Sequence, residues 1–584
     1  MAAPALRQQT LDSRAGADAR MEALEKLEGL VEDVAREKNR RRSNIALKRG
    51  VRHWRRGDIV KGGQWALRAT EADPGNPKAF HVLAMALERM GHLHKALITY
   101  ERAFELDPED PELLINLGLT AWNLKYKDGA VKMFQLYIAA CPESPLGYNN
   151  LGGILADMGN PELAINTLRD ALTAMPDQAI LWNSLATVLA EEGRADESVI
   201  FYEEAARLEP GFARAYHNLG YAYQHLSQYD KALACYDKAL ELVIDPAERI
   251  ETTHSRSICL IAMGRLEEGF REYEIRNNDR FRCYFHHMIE APRWQGEDVT
   301  GKKLLLVAEQ GLGDEIMFSN ILPDAQEAVG PKGKLQICVD PRMIPLYQRS
   351  FPAAEVGGYD DRVLMEMDGN KDLRLIPFAS GENKPDVWAP MGSALQYYRK
   401  SLADFPRKAF LVPDPERVAG FKAGLAALPG KKVGVCWRSM MLTNKRGKYY
   451  ASRDFWGHIL QTPGITFVSL QYGDCADDIA AFREKFGVTL HQVQGLDLKN
   501  DIDGTAALCQ ALDLVLSAPT AAAHTAAGVG TETWLICAGQ GWPQLGTSDY
   551  PWYPRAHTFA SERLLEWDQV EARLAAELAA FAAG

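Results

Sequence analysis

Proline recurs in this chain at a fixed interval of thirty-four residues: Pro74, Pro108, Pro142, Pro176 and Pro210. Each closes a unit of two amphipathic helices, and a unit of that size cannot bury its apolar faces alone. Neighbouring units must stack, which commits the region to an α-solenoid. In "LGYNNLGGILADMGNPELAINTLRDALTAMP" the small residues Gly152, Ala164 and Ala171 let two helices approach, and Tyr148, Leu151, Leu155 and Leu168 fill the space between them. The next unit repeats the scheme with Trp182, Leu185, Leu189, Tyr202 and Ala205. The one after uses Tyr216, Leu219, Gly220, Tyr223, Ala232, Tyr236 and Ala239.

Thirty-four residues is the tetratricopeptide (TPR) period. Five units, at 77–110, 111–144, 145–178, 179–212 and 213–246, are regular. Degenerate units at 43–76 and about 250–283 read as the ends of the array, where atypical repeats are normal. "MGRLEEGFREYE" still aligns with "MGHLHKALITYE". The first helix of each pair lines a concave face carrying Asn116, Asn149, Asn150, Asn183 and Asn218, with His81, Ser184 and His217 in equivalent slots. An amide donates and accepts at once, so such a row suits the backbone of an extended polypeptide of any sequence. The other reading is that these residues cap or solvate the groove.

A chain of 584 residues exceeds a single core and must hold several domains. Its net charge of −12 argues against a general nucleic-acid or membrane binder. The basic stretch "REKNRRRSNIALKRGVRHWRR" (36–56) reads as a solvated helical face, with an acidic partner or anionic lipid as the alternative. The nine cysteines are scattered singly with no C-x-x-C, a reducing-compartment pattern. The N-terminus has no apolar h-region and no uncharged apolar run reaches a membrane-spanning length, so a cytoplasmic protein is expected.

From Gly301 the period changes. "KLLLVAEQ", "KLQICVD" and "LRLIPF", then "KKVGVCWRS", "TFVSLQYGD", "ALDLVLSAP" and "TETWLICA", are apolar strands separated by helix-length segments. That pattern means parallel sheets with helices on both faces. A proline-bounded helix in 411–432 separates two groups, and a last helix at about 562–583 should pack back onto the body. The expected fold is therefore α plus α/β: an extension at 1–42, a TPR solenoid at 43–283, and two Rossmann-like halves at 284–412 and 413–584.

One strand-end turn stands out. In "LLLVAEQGLGDEIMF" (304–318) an apolar strand stops at a Gly-Leu-Gly-Asp-Glu turn and a helix follows. Carboxyl ends of strands form the ligand crevice of open α/β sheets. Gly311 and Gly313 allow close backbone approach, and Asp314 is placed either to act chemically or to cap the helix.

The segments "EGFREYEIR", "APRWQGEDVTGKKLLLVAEQGLGDEIMF", "FVSLQYGD" and "YPWYP" occur in the order typical of bacterial TPR-linked glycosyltransferases of the GT-B fold. The resemblance covers essentially everything beyond residue 40. The G-x-G-D turn is similar to the first loop of lipopolysaccharide heptosyltransferases, and the TPR fusion resembles O-GlcNAc transferase. In length and order the chain most resembles FlmG-type flagellin glycosyltransferases of alphaproteobacteria. That resemblance implies a metal-independent, inverting enzyme without a cofactor. It would carry a nonulosonic acid such as pseudaminic acid from a CMP-linked nucleotide sugar to Ser/Thr of flagellin. The alternatives are an O-GlcNAc-like transferase using a UDP sugar, and a non-catalytic adaptor or flagellin chaperone.

Glycosyl transfer to a hydroxyl needs a base for the acceptor and charge stabilisation for the leaving phosphate. The resemblance to heptosyltransferases makes Asp314 the base, with Glu309 the alternative and Gln310 a sugar contact. In "SAPTAAAHTAAG" a helix start after a strand makes an anion site, with Thr520, Ala521 and His524 as donor contacts, although His524 is equally read as a core residue. The family's acid or histidine before this threonine is replaced by Pro519. Arg438 ends a strand and offers a guanidinium fork to phosphate or a sugar carboxylate. Lys445, Arg446 and Lys448 could close over the donor or simply be solvated, and Gln471 and Tyr472 are candidates for base or ribose contact. Asp501-Ile502-Asp503 spells D-x-D but precedes a helix, so it reads as a cap and no metal is expected. Trp552 and Tyr553 in "PWYP" divide between loop packing and sugar stacking.

Overall fold

The computed structural model describes residues 3–281, 285–366, 369–440, 447–561 and 566–584, without the side chains of 3–20, 23, 364–366 and 369–371. The chain forms two compact units, Met1–Pro176 with Met365–Asn370, and the remainder from Asp177 on.

The first unit opens with one helix, Ala3–Arg55, that runs unbroken through the expected boundary at residue 42, and Ile59–Ala72 follows. The regular pairs are Pro77–Arg89 with Leu93–Leu106, Pro111–Asn123 with Lys127–Ala140, and Pro145–Asp157 with Pro161–Ala174. Proline at the first helical position is preorganised for helix and gives up an N–H that has no intrahelical partner there. Gly152 is the close-approach point foreseen in its repeat: a Cβ there would come within 2.8 Å of Leu168.

In the second unit the pairs continue as Ala179–Glu191 with Ala195–Leu208, Ala213–His225 with Tyr229–Leu242, and Pro246–Ala262 with Leu266–Tyr273. The last pair does not end in solvent. Ile261, Leu266, Phe270 and Tyr273 belong to the same buried cluster as Leu304, Leu306, Val515 and Leu535 of the sheets. Phe270, fully buried, meets Trp552 edge-on. Each such ring contributes on the order of 2–3 kcal/mol by leaving water, so this last pair is welded to the α/β body.

The strands are β1 (His286–Met288), β2 (Lys303–Val307), β3 (Lys334–Val339), β4 (Glu355–Gly358), β5 (Asp360–Glu366), β6 (Gly369–Leu375) and β7 (Val387–Pro390). They continue with β8 (Lys431–Cys436), β9 (Ile465–Ser469), β10 (Leu514–Ser517), β11 (Thr533–Cys537) and β12 (Ala556–Ala560). One sheet has the order β4-β3-β2-β7 and another the order β12-β11-β10-β8-β9, all pairs parallel. Leu305 sits between Gln336 and Trp388, and Val435 between Ser469 and Leu516. Strands buried on both faces explain the continuous apolar runs.

One strand expectation needs correction, and the sheets contain strands that the sequence reading did not mark. "LRLIPF" contributes to β6, which pairs with β1 and β5 in a separate three-stranded sheet. The first parallel sheet is completed instead by β4 and β7, "VWAP", and β12 closes the second. The helix Pro415–Leu425 packs against Ile502–Ala511. The terminal helix, Trp567–Ala583, buries Val570, Leu574 and Leu578 against Val433, Phe467 and Trp534.

Candidate functional site: the facing strand ends

In the first parallel sheet the chain leaves β2 toward β3 on one side, and β7 lies on the other, so the order reverses between β2 and β7. The second sheet reverses between β8 and β10. Such switch points are where doubly wound sheets bind ligands, beyond the carboxyl ends of the strands. The loop Ala308–Gly311 leaves β2 at the first switch point; Trp437–Arg438 and Ala518–Thr520 flank the second.

The first loop is clamped from both sides. Arg374, buried and fork-paired with Asp361, donates from Nη1 to the Ala308 carbonyl at 2.6 Å. Arg276, from just beyond the last helix pair, holds Glu309 through Nε–Oε2 at 3.0 Å and Nη2–Oε1 at 2.5 Å. The Gly392 N–H, from the β7 side, donates to Glu309 Oε1 at 2.8 Å. A carboxylate buried and engaged in this way is a structural anchor, so the alternative base Glu309 is unsuited to that role. Gln310 follows in left-handed backbone, φ 66°, and its side-chain amide donates to the Tyr273 hydroxyl at 2.6 Å. The positive φ thus falls on Gln310, whereas Gly311 has φ −94°. Strain of this kind is retained where surrounding contacts enforce it.

The helix Leu312–Phe318 has Gly311 as its N-cap, so Asp314 is its third residue and not the cap. Asp314 is half-buried. Burial raises the hydroxyl pKa values of Tyr273, Tyr550 and Tyr553, and the negative charge of Asp314 adds to the rise. Glu315 faces the other way. It accepts from the Tyr359 hydroxyl at 2.6 Å and from the Asp340 N–H at 3.1 Å, and burial pushes its carboxyl up to about 7.

Gly313 is where the two switch points meet. A Cβ there would lie 3.0 Å from Cδ2 of His524 and 3.8 Å from the Ala521 nitrogen. The helices Leu312–Phe318 and Ala521–Gly528 pack directly on one another. Thr520 is the N-cap of the second, but its hydroxyl makes no cap bond and turns back to Ser517 and Cys436. His524 is fully enclosed, its Nδ1 2.9 Å from the Tyr553 hydroxyl, and burial lowers its pKa to about 4. It is therefore neutral at physiological pH, a hydrogen-bonding group rather than a cation.

The other expected donor contacts lie differently. Arg438 does not aim its fork into the crevice: Nε and Nη2 bind Asp478 at 2.9 and 2.8 Å, and Nη2 also binds the Asp474 carbonyl. Asp478 further accepts from Trp437 and Arg453. Gln471 is a staple, accepting from the N–H groups of Trp437 and Arg438 and donating to the carbonyls of Arg438 and Tyr472. Tyr472 remains half-buried at the strand end, its hydroxyl pushed up to about 12 by burial. Lys445 and Arg446 lie outside the described residues. Lys448 binds the Glu191 carbonyl and the Glu192 carboxylate. Trp552 and Tyr553 are buried, so the loop packs and neither ring is offered to a sugar. Asp501 caps its helix and pairs with Arg417, and Asp503 pairs with Arg349. Among the described residues no group of three His, Cys, Asp or Glu side chains is arranged to hold a metal.

The amide row serves partly as a ladder between repeats. Asn218 donates to the buried Asn183 at 3.0 Å, Asn116 pairs with His81 at 2.9 Å, and His217 with Thr252 at 3.0 Å, each thirty-five residues apart. Asn149 donates to its neighbour Asn150. Arg276, Arg374, Glu315 and Asp478 were given no role from sequence, although Arg276 lies in "EGFREYEIR", Arg374 in "LRLIPF" and Glu315 in "LLLVAEQGLGDEIMF"; Asp478 lies in none of the stretches singled out.

Tetratricopeptide-repeat family models match residues 77–120, 150–211 and 213–243. The chain therefore carries a TPR solenoid, followed by a region of parallel sheets. Protein FlbA of Caulobacter vibrioides is 38% identical over 393 residues, 66% of this chain and 64% of the relative, so the match spans less than two thirds of that protein's length. Two solved structures of TPR proteins are similar to part of the chain. YrrB, described as a TPR protein with an unusual peptide-binding site, is 25% identical over 32% of this chain and 96% of its own, with a TM-score of 0.24. A thermophilic TPR protein of Thermus thermophilus is 26% identical over 31% of this chain and 98% of its own, with a TM-score of 0.28. No described helix is long and apolar enough to cross a membrane.

Proposed function

We propose that the chain is a cytoplasmic protein O-glycosyltransferase of the GT-B class, with flagellin as acceptor and a CMP-linked nonulosonic acid as donor. The observation that carries the proposal is the meeting of two sheet switch points at Gly313 and His524, with Asp314 the next residue after Gly313. Asp314 accepts the proton of a Ser/Thr hydroxyl while the hydroxyl oxygen bonds to the anomeric carbon. The bond from that carbon to the phosphate breaks and CMP leaves. The N-terminus of the helix Ala521–Gly528, whose cap side chain leaves its N–H groups alone, favours the departing negative charge. Arg276 and Arg374 act earlier, fixing the loop so that little reorganisation is needed at the moment of transfer. The nonulosonic acid and flagellin rest on the resemblance to FlmG-type enzymes.

Incubation of the purified chain with flagellin and CMP-pseudaminic acid should add the sugar's mass to flagellin, and CMP should raise the melting temperature more than UDP. UDP preference would instead favour the O-GlcNAc-like alternative. A specific observation also favours a non-catalytic adaptor: Arg438, Gln471 and Glu309 are all committed to internal partners. Flagellin binding without a mass change or nucleotide response would support that reading.

A further inference from the structure

The inner helices of two repeats already hold a short piece of this chain. Lys448 places its amine 3.0 Å from the carbonyl of Glu191 and 2.5 Å from the carboxylate of Glu192, at the end of the helix Ala179–Glu191. A helix carboxyl end carries partial negative charge, so an amine is suited to it. Next to it, Tyr449 stacks on His225 with the rings 6.4 Å apart and inclined by 26°. Burial raises the pKa of the Tyr221 hydroxyl, and the nearby Tyr449 hydroxyl adds to the rise. Tyr221 in turn meets His225 edge-on at 4.3 Å. Burial lowers the His225 pKa to about 4, so this ring is a neutral stacking surface.

These groups share a face with the amide row. Tyr221 and His225 follow Asn218 at spacings of three and seven on one helix, which puts all three on one side. Glu191 precedes His225 by one repeat length, so the two occupy equivalent positions in successive units. The hold is built of weak pieces. Tyr449 keeps 40% of its surface exposed and Tyr221 46%, and the Lys448–Glu192 pair is about a third exposed on each side. Ion pairs at such sites contribute little, and a single ring pair adds modestly. A partner offering the same two groups could displace them.

We propose that Glu191–Glu192, Tyr221 and His225 form a recognition site for a basic residue followed by an aromatic one, and that Lys448-Tyr449 is its internal occupant. The class of external ligand is a polypeptide carrying Lys or Arg next to Tyr or Phe. The inference rests on the inner face of the repeats being the acceptor side. Because the occupant follows β8 in the chain, on the segment leaving the second switch point, its release by a polypeptide ties acceptor capture to that strand end.

The test uses the full chain and its Lys448→Ala/Tyr449→Ala variant, with equal melting temperatures as the folding control. The probe is a synthetic peptide of residues 447–453, GKYYASR, against a control with its Lys and both Tyr replaced by Ala. Titration is followed by fluorescence anisotropy. The variant should bind the native-sequence peptide at least ~5-fold more tightly than the wild type, whose tethered copy competes at high effective concentration. Adding Tyr221→Ala to the variant should remove that binding. Equal binding to wild type and variant, binding of the control peptide, or no binding to either chain up to ~1 mM overturns the proposal. A parallel titration with flagellin separates the two readings. Peptide binding without flagellin binding leaves the site standing and removes flagellin as its ligand.

Discussion

The pairing of Arg276 with Glu309 permits a quantitative test of what Glu309 does. Both side chains are almost wholly buried, 3% and 10% exposed, and joined by two hydrogen bonds. Arg276→Met should leave the Glu309 charge in the interior with only the Gly392 N–H, and a buried charge stripped of its partner costs about 3–5 kcal/mol. Glu309→Met should cost somewhat less, since Arg276 would keep the Tyr273 carbonyl, Ser393 and the Glu274 carboxylate 3.8 Å away. The double variant removes both charges and should be far less destabilised than the sum, with a coupling of at least ~2 kcal/mol. Urea denaturation followed by tryptophan fluorescence reads this well, because Trp542 and Trp552 lie near the junction. Additive losses, within about 0.5 kcal/mol, would refute the anchoring role and return Glu309 to the list of candidate bases.

Three further outcomes follow from particular contacts. Glu315 binds its proton more tightly when folded, its carboxyl rising from 4.5 to about 7. The folded state therefore holds more protons than the unfolded one between those values, so stability falls as pH rises through the window and levels off above it, by up to about 3 kcal/mol. Glu315→Gln should remove that slope, and melting curves from pH 5 to 8 that stay parallel for wild type and variant would contradict it. Gly313→Val should drive a methyl into His524 and the Ala521 nitrogen and abolish nucleotide binding in calorimetry, whereas unchanged affinity would move the donor site elsewhere. Asn218→Ala should strand the buried Asn183 amide at a cost of about 1–3 kcal/mol in urea denaturation, and a neutral change would show that the inter-repeat bond carries nothing.

The repeat array was legible because its information is local. Each proline, each small residue and each aromatic acts within one helix pair or its immediate neighbour, so a thirty-four-residue window contains the cause of its own structure. The parallel strands β2, β3 and β8–β11 were legible for a related reason: burial on both faces leaves unbroken apolar runs. β7 and β12 escaped because "VWAP" is short and ends in proline, and "AHTFA" is only partly apolar. "LRLIPF" looked like its neighbours, but the sheet a strand joins depends on contacts far along the chain. The same limit governs the site. Residue type and strand-end position singled out Arg438 and Gln471, but Asp478 and the Trp437–Arg438 backbone, thirty-three to forty residues away, decide what they bind. The clamp on Glu309 is likewise invisible without knowing that the last repeat packs against the β2 loop.

Asp314→Asn tests the central claim most directly. Gly311, not Asp314, is the N-cap, and asparagine keeps the size of the side chain while weakening a helix-dipole contribution of about 0.3–1 kcal/mol. The measurement is single-turnover transfer of pseudaminic acid from its CMP donor to flagellin, followed by intact mass, with melting temperature and CMP affinity in parallel. If Asp314 takes the acceptor's proton, transfer slows by ~10²–10⁴-fold while folding and nucleotide binding hold. An Asp314→Asn chain that folds, binds CMP and transfers at the wild-type rate would contradict the account.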